Sequence, residues 1–240
     1  MSKSATRLIP SAKSRSPGRP RKLERDSIVD AAIALADEQG PDSLSMRALA
    51  KHLGVNHATL FNYFDSADEV QAAAIERLYA EIPPLPPASA GPEAFRQQLI
   101  DNLLSLFSIQ QQHPHAIQAP IGSPAWRNTF SRMNEVMGSV REFCDSDTQA
   151  WYALHLLFSA VATSAEAERL NRQSPLREKQ RESLKEMPLE NKASLLPIIE
   201  QHAHLDESQR FVKLIDHAIC HLIPALARSG NRLEEEPHET

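Results

Sequence analysis

Asn56, His57, Thr59 and Asn62 fall within seven consecutive residues, and each carries a polar side chain able to hydrogen-bond a base edge or a phosphate. Thr59 adds a methyl group that fits against thymine, and Arg47 upstream has the planar fork that grips guanine O6 and N7 together. Such a bidentate contact is worth roughly 1–3 kcal/mol of base discrimination. The pattern suits recognition better than catalysis. Glu166 and Glu168 stand two apart, a spacing at which helical side chains do not face each other, so a general acid/base pair is not expected. His217 and His221 are four apart with Cys220 beside them, but two ligands on one helix do not complete a tetrahedral metal site. P-loop, GxSxG, HExxH and GxGxxG patterns are missing from the sequence, so neither an enzyme nor a bound cofactor or metal is expected.

Charge complicates the picture. Leu53 to Glu76, the stretch holding these readers, has no lysine or arginine but contains Asp65, Asp68, Glu69 and Glu76. The 240 residues carry a net −5, yet the first 25 hold eight basic residues against one acid, a net +7 that leaves −12 for the rest. A basic arm on an acidic body is the asymmetry expected of a nucleic-acid or membrane-surface binder. No apolar run approaches the roughly 18–20 residues of a membrane-spanning helix. Cys144 and Cys220 have neither disulfide-framework nor metal spacing, which makes a reducing cytoplasm the expected compartment.

Helices must position these groups. Ile28, Ala32, Leu35 and Ala36 recur at helical spacing from Asp26 to Gln39, and Gly40-Pro41 ends the run. Ser45 is placed to cap a short second helix that Gly54 stops; Asn56 is placed to cap a third through Tyr63; a fourth runs from Ser66 or Ala67 to about Glu81. Ala50 is small enough for two helices to cross, and Gly54 supplies the turn, which together make a helix-turn-helix. The proline-rich Ile82 to Pro92 marks a boundary. Beyond it, helical periodicity covers Glu93 to Gln112, Ala125 to Phe143, Thr148 to Leu170 and Ser208 to Ala227, while polar Asn171 to Ser194, with Pro175 and Pro188, reads as a loop. Thr148 to Leu170 is apolar nearly all round in its first half, which demands burial in the core or at a subunit interface. The expected fold is all-α: a basic arm over 1–24, a helix-turn-helix domain over 25–82, a linker over 83–92, a helical domain over 93–228 and an acidic tail over 229–240.

The segment from Arg25 to Glu81 resembles the N-terminal domain of the tetracycline-repressor (TetR) family of bacterial transcription regulators. The likeness rests on Ile28 to Ala32, Glu38-Gln39-Gly40, Leu44 to Ala50, Leu53-Gly54-Val55, Ala58 to Phe64 and Asp68-Glu69-Val70. Weaker likeness to the tetracycline repressors themselves continues in Ala150 to Leu154 and Ser194 to Pro197. The resemblance implies base contacts from Arg47, His57, Ala58, Thr59 and Phe61, and phosphate contacts from Ser45, Asn62 and Tyr63, with Asn56 beside them. Phe61 stands where the family usually has tyrosine and Ala67 where it usually has lysine, so the grip on phosphate is weakened. The arm is a replacement: Ser16 to Lys22 reads SPGRPRK and resembles an AT-hook, which would place Arg19, Arg21 and Lys22 in a narrow minor groove.

The same resemblance implies a homodimer on a palindromic double-stranded DNA operator, released by a small-molecule effector. Phe211, Leu214, Ile215, Ala218, Ile219 and Leu222 are the expected interface residues. Phe107, Gln118, Trp126, Met133, Trp151, His155 and Phe158 are the expected pocket residues. Pro120 occupies the place at which tetracycline repressors hold magnesium with a histidine, so tetracycline-magnesium is not the expected effector. Two other readings stay open: a helical small-molecule-binding or enzymatic protein whose N-terminal hairpin is structural, and an activator that depends on its arm.

Overall fold

Ser45, Asn56, Ser66 and Ser123 each precede a helix and accept a backbone N–H from its first turn, through Ala48, Ala58, Glu69 and Trp126 respectively. Each cap satisfies a donor that the helix itself leaves open, worth about 1 kcal/mol. Asp206 and Gln209 cap each other reciprocally at a fifth start. These caps set where five helices of the chain begin; a computed structural model describes residues 23–119, 121–173, 176–188, 194 and 196–227.

The helices are α1 (Arg25–Gln39), α2 (Met46–Leu53), α3 (His57–Leu60), α4 (Ala67–Tyr79), α5 (Pro92–Gln112), α6 (Pro124–Val140), α7 (Asp147–Gln173), α8 (Leu176–Glu186), α9 (Leu196–Gln201) and α10 (Glu207–Leu222). Among the described residues there is no strand, so the fold is all-α.

Two apolar cores organise it. Ile28, Ala32, Leu35, Leu49, Ala50, Leu60, Phe64, Val70 and Leu78 pack α1 to α4 together. Leu99, Leu103, Phe107, Leu154, Leu157, Val161, Phe211, Ile215 and Ile219 pack α5, α7 and α10. Arg96, fully buried on α5, forms an ion pair with Asp216 of α10. The cores are joined rather than merely tethered. Ala72 and Ile75 of α4 meet Ala125 of α6, and Ile82 packs against both cores. Asn102 on α5 donates to the Pro83 carbonyl at 2.9 Å, holding the proline-rich segment to the helical body.

The structure corrects several expected boundaries. The polar stretch expected as a loop continues α7 to Gln173 and then forms α8, because Leu, Arg, Glu, Lys and Gln are strong helix formers whatever their polarity. The last helix stops at Leu222 instead of Ala227, since Pro224 has no N–H to continue the ladder; Pro224–Leu226 forms a 3-10 turn instead. The sixth helix likewise ends at Val140, and Arg141–Phe143 tightens into a 3-10 turn. The third helix ends at Leu60 rather than Tyr63, because Asn62 and Tyr63 bond three residues back, to Thr59 and Leu60, and tighten the chain into a turn.

Candidate nucleic-acid interface

Ala50 is buried where α2 crosses α3, and Gly54 takes the left-handed conformation (φ 68°) that ends α2. The Gly54 N–H bonds the Ala50 and Lys51 carbonyls, and the Val55 N–H bonds Ala50 again at 3.0 Å. That turn sends α3 off with Leu60 in the core and the opposite side outward. His57, Ala58, Phe61 and Asn62 are exposed there, with Phe61 49% accessible although apolar; Thr59 is half-buried. Arg47, Lys51 and His52 are exposed on α2. His57 and Phe61 meet edge-to-face at 6.2 Å, so the two side chains share one rim.

Intramolecular bonds engage three of the expected contact residues. Ser45 accepts from Ala48, but its hydroxyl proton remains for a phosphate; Asn56 accepts from Ala58 at 3.0 Å through Oδ1, and its NH2 group remains to donate. Tyr63 differs from the expectation. Its hydroxyl donates to the Leu23 carbonyl at 2.7 Å, so its one donor is spent inside the protein. Arg25 reinforces this tie: it donates to the Tyr63 carbonyl at 2.9 Å, lies 4.0 Å over the Phe64 ring and pairs with Glu69 at 3.5 Å. Leu23, the first described residue, is therefore fastened at the end of the α3 turn. Arg19, Arg21 and Lys22 lie outside the described residues.

A second candidate site lies between α4, α5, α6 and α7. One cavity of about 190 Å³ is lined by Tyr79, Ile82, Asn102, Leu106, Gln110, Thr129, Arg132, Met133, Val136 and Phe158. Another of about 290 Å³ is lined by Met133, Met137, Trp151, Leu154, His155, Phe158, Ser159 and Ala162. Met133 and Phe158 form the wall between them. Burial pushes the Tyr79 phenol above its ordinary range, and the Thr129 hydrogen bond and Arg132 charge only partly oppose that shift. Tyr79 is thus a neutral group beside a permanent cation.

Comparison with known proteins bears on both sites. The family profile described as bacterial regulatory proteins, tetR family, matches residues 28–74, the span from α1 into α4. That segment is similar to the N-terminal part of the tetR-family regulators. An uncharacterized HTH-type transcriptional regulator of Mycobacterium tuberculosis is 40% identical over 68 residues, 28% of this chain and 31% of that protein. The HTH-type transcriptional repressor DrrR1 of Streptomyces coeruleorubidus is 25% identical over 150 residues, 61% of this chain and 54% of that one. The matches thus span about a third to a half of these relatives. The crystal structure of the TetR family protein ActR of Streptomyces coelicolor, in complex with actinorhodin, overlays with a TM-score of 0.60. It is 24% identical and covers 86% of this chain and 100% of ActR, a likeness of fold.

Four expected pocket residues, Met133, Trp151, His155 and Phe158, line the cavities, and three do not. Phe107 is buried and stacked on Phe211 at 4.2 Å, so it is core. Gln118 is exposed and holds its own turn by donating to Pro114. Trp126 stacks on the half-exposed Phe130 at the start of α6. Pro120 lies outside the described residues. The expected interface set also needs correction. Phe211, Ile215 and Ile219 are almost fully buried in the core of the protomer, and only Leu214 of that helix is a large exposed apolar residue; Ala218 and Leu222 are half-buried. The helix has one apolar face, and the α5–α7 core has taken it.

Sequence reasoning missed Tyr79, Asn102, Thr129, Arg132 and Met137, which come from three helices and have no shared spacing. It did flag α7. Trp151, Tyr152 and Leu156 are 50–60% exposed on the protomer, and Leu170 and Leu214 are exposed too. His217 and His221 lie 4.4 Å apart ring to ring, and no group of three or more His, Cys, Asp or Glu gathers around a metal position among the described residues. Nor is any described helix long and apolar enough to cross a membrane.

Proposed function

We propose that this chain is a ligand-responsive DNA-binding transcription regulator, a homodimer that represses by occupying a palindromic operator and leaves it when a small-molecule effector binds. The observation that carries the reading is the exposed rim of Arg47, His57, Ala58, Phe61 and Asn62, held on capped helices and lying inside the tetR-family match. A rim of mixed donors, acceptors and apolar groups reads base edges, whereas a rim of lysines would only bind phosphate. Ser45 and Asn56 are the proposed phosphate-side contacts, and Thr59 is the thymine contact.

The arm supplies the charge that α3 lacks. The bonds that fasten Leu23 and Arg25 to Tyr63 beside α3 support this reading. Arg19, Arg21 and Lys22 are the proposed contacts to the neighbouring minor groove, in the manner of a homeodomain arm.

Dimerisation is proposed through the exposed face of α7, with Tyr152, Leu156 and Leu170, and through Leu214 of α10. A stripe of half-exposed large apolar groups on one helix is a subunit surface rather than a solvated one. The cavities are the proposed effector site. DrrR1 is named a repressor and ActR was solved with actinorhodin, which supports repression and effector binding here. No catalytic role or cofactor is proposed, and the reducing cytoplasm is the proposed compartment.

Selection of bound fragments from random DNA by the full chain tests the reading. A palindromic consensus with half-sites about 34–36 Å apart, or a multiple of that, is expected. Recovery of no sequence above background would sink it.

A further inference from the structure

Arg132 stands out among the arginines. Arg25, Arg77, Arg96, Arg141, Arg169, Arg172 and Arg210 each have a carboxylate within 4 Å, whereas no ion pair engages Arg132 among the described residues. Nor is it exposed to solvent like Arg47 and Arg127. It is half-buried in the cavity wall, where it is the one permanently charged lining residue of either cavity. Its neighbour Tyr79 is held neutral by burial and cannot compensate the charge. A half-desolvated guanidinium facing an apolar cavity has unused donors suited to a planar anion.

The cavity's shape adds a second condition. Neither cavity reaches the roughly 300 Å³ at which small-molecule sites begin, but the two share Met133 and Phe158 as their dividing wall. Methionine is the side chain most able to move aside, and the combined space is walled by Tyr79, Phe158 and Trp151. Flat aromatic walls favour a flat aromatic ligand.

The third condition is coupling. Arg132 donates to the Tyr79 carbonyl at 3.1 Å, and Tyr79 is the last residue of α4, the helix packed on the DNA-reading core. We infer that Arg132 is the recognition residue for an effector of planar aromatic, anionic chemistry, a carboxylate or sulfonate on a fused or linked ring system. We infer also that it reports occupancy by giving up its bond to Tyr79. An anion competes for the same guanidinium donors and wins, because two parallel bonds between ions of opposite charge hold the planar fork more tightly than a single bond to a neutral carbonyl. Breaking that bond removes a tie between α6 and the end of α4 and so shifts the setting of the reading helix. The relay rests on the regulator reading above; the anion site does not.

Two near-isosteric fluorescent probes separate the claims: 1-anilinonaphthalene-8-sulfonate, which is anionic, and N-phenyl-1-naphthylamine, which lacks the sulfonate. Each is titrated into the full chain, into R132Q and R132K, and into R127Q as a control on an exposed arginine outside the cavities. The anionic probe should bind R132Q at least about tenfold more weakly than wild type, R132K in between and R127Q unchanged, while the neutral probe binds all four within about twofold. Equal affinity of the anionic probe for wild type, R132K and R132Q overturns the anion site, and circular dichroism on each variant excludes misfolding as the cause of a weaker affinity. In the second arm the anionic probe should weaken wild-type binding to the selected DNA by about fivefold or more and leave R132Q unaffected. Probe bound at Arg132 with no change in DNA affinity overturns the relay. A chain that selects no DNA overturns the regulator reading and the relay with it, and the fluorescence comparison still decides the anion site.

Discussion

His113 Nδ1 lies 2.6 Å from Asp37 Oδ2, and this pairing joins the C-terminal end of α5 to α1. Both side chains are mostly buried, and the pair ties α1 to the helical body, whereas Arg132 and Tyr79 tie α4 to it. A double-mutant cycle on Asp37→Ala and His113→Ala, followed by urea unfolding, should give a coupling of about 1 kcal/mol. Additive single effects would show that the pair carries no stability.

Gly54 sits at φ 68° with nothing within 4 Å of where a Cβ would stand, so a side chain there is strained by backbone conformation and not by collision. Gly54→Ala should cost about 1 kcal/mol, and Gly54→Asn less, because asparagine tolerates the left-handed region. Thermal melts compare the two; equal costs would point to packing instead.

Arg47→Ala should cut preference for the selected operator over a scrambled duplex by about 5- to 150-fold, the equivalent of roughly 1–3 kcal/mol, while non-specific binding changes little. Anisotropy titrations on both duplexes supply the ratio. A uniform weakening on both would make Arg47 a phosphate contact.

Removing residues 1–22 should lower affinity for every duplex and flatten the dependence of log K on log salt by about 0.9 for each phosphate that the arm neutralises. If the shortened chain keeps both affinity and slope, the arm has no part in binding.

Leu156→Glu should yield a folded monomer, because Leu156 is 50% exposed on the protomer, whereas Ile215→Ala should cost about 2–5 kcal/mol at any oligomeric state because Ile215 is fully buried. Light scattering and urea unfolding distinguish them. A Leu156→Glu chain that remains dimeric moves the interface elsewhere.

Some features of the chain are local, and those are legible in the sequence. Ser45, Asn56 and Ser66 cap helices through bonds spanning two or three residues, Gly54 stops α2 by its own backbone freedom, and the helix-turn-helix follows from such short-range rules. The exposed rim of α3 is legible for the same reason, since Leu60 turned inward leaves its neighbours on the turn facing out. Polarity misleads in α8, whose Leu, Arg, Glu, Lys and Gln residues favour helix although the stretch is polar.

Tertiary structure decided everything that depends on which apolar face meets which. Periodicity shows that α10 has a buried stripe but cannot say whether a partner helix of the same chain or of a second subunit covers it; Phe211, Ile215 and Ile219 went to α5 and α7. Tyr79 and Arg132 lie 53 positions apart and meet because α4 packs along α6. No spacing rule connects them. Local bonds write themselves into neighbouring residues, whereas a cavity is what remains after several helices have packed, and only the packed chain shows its walls.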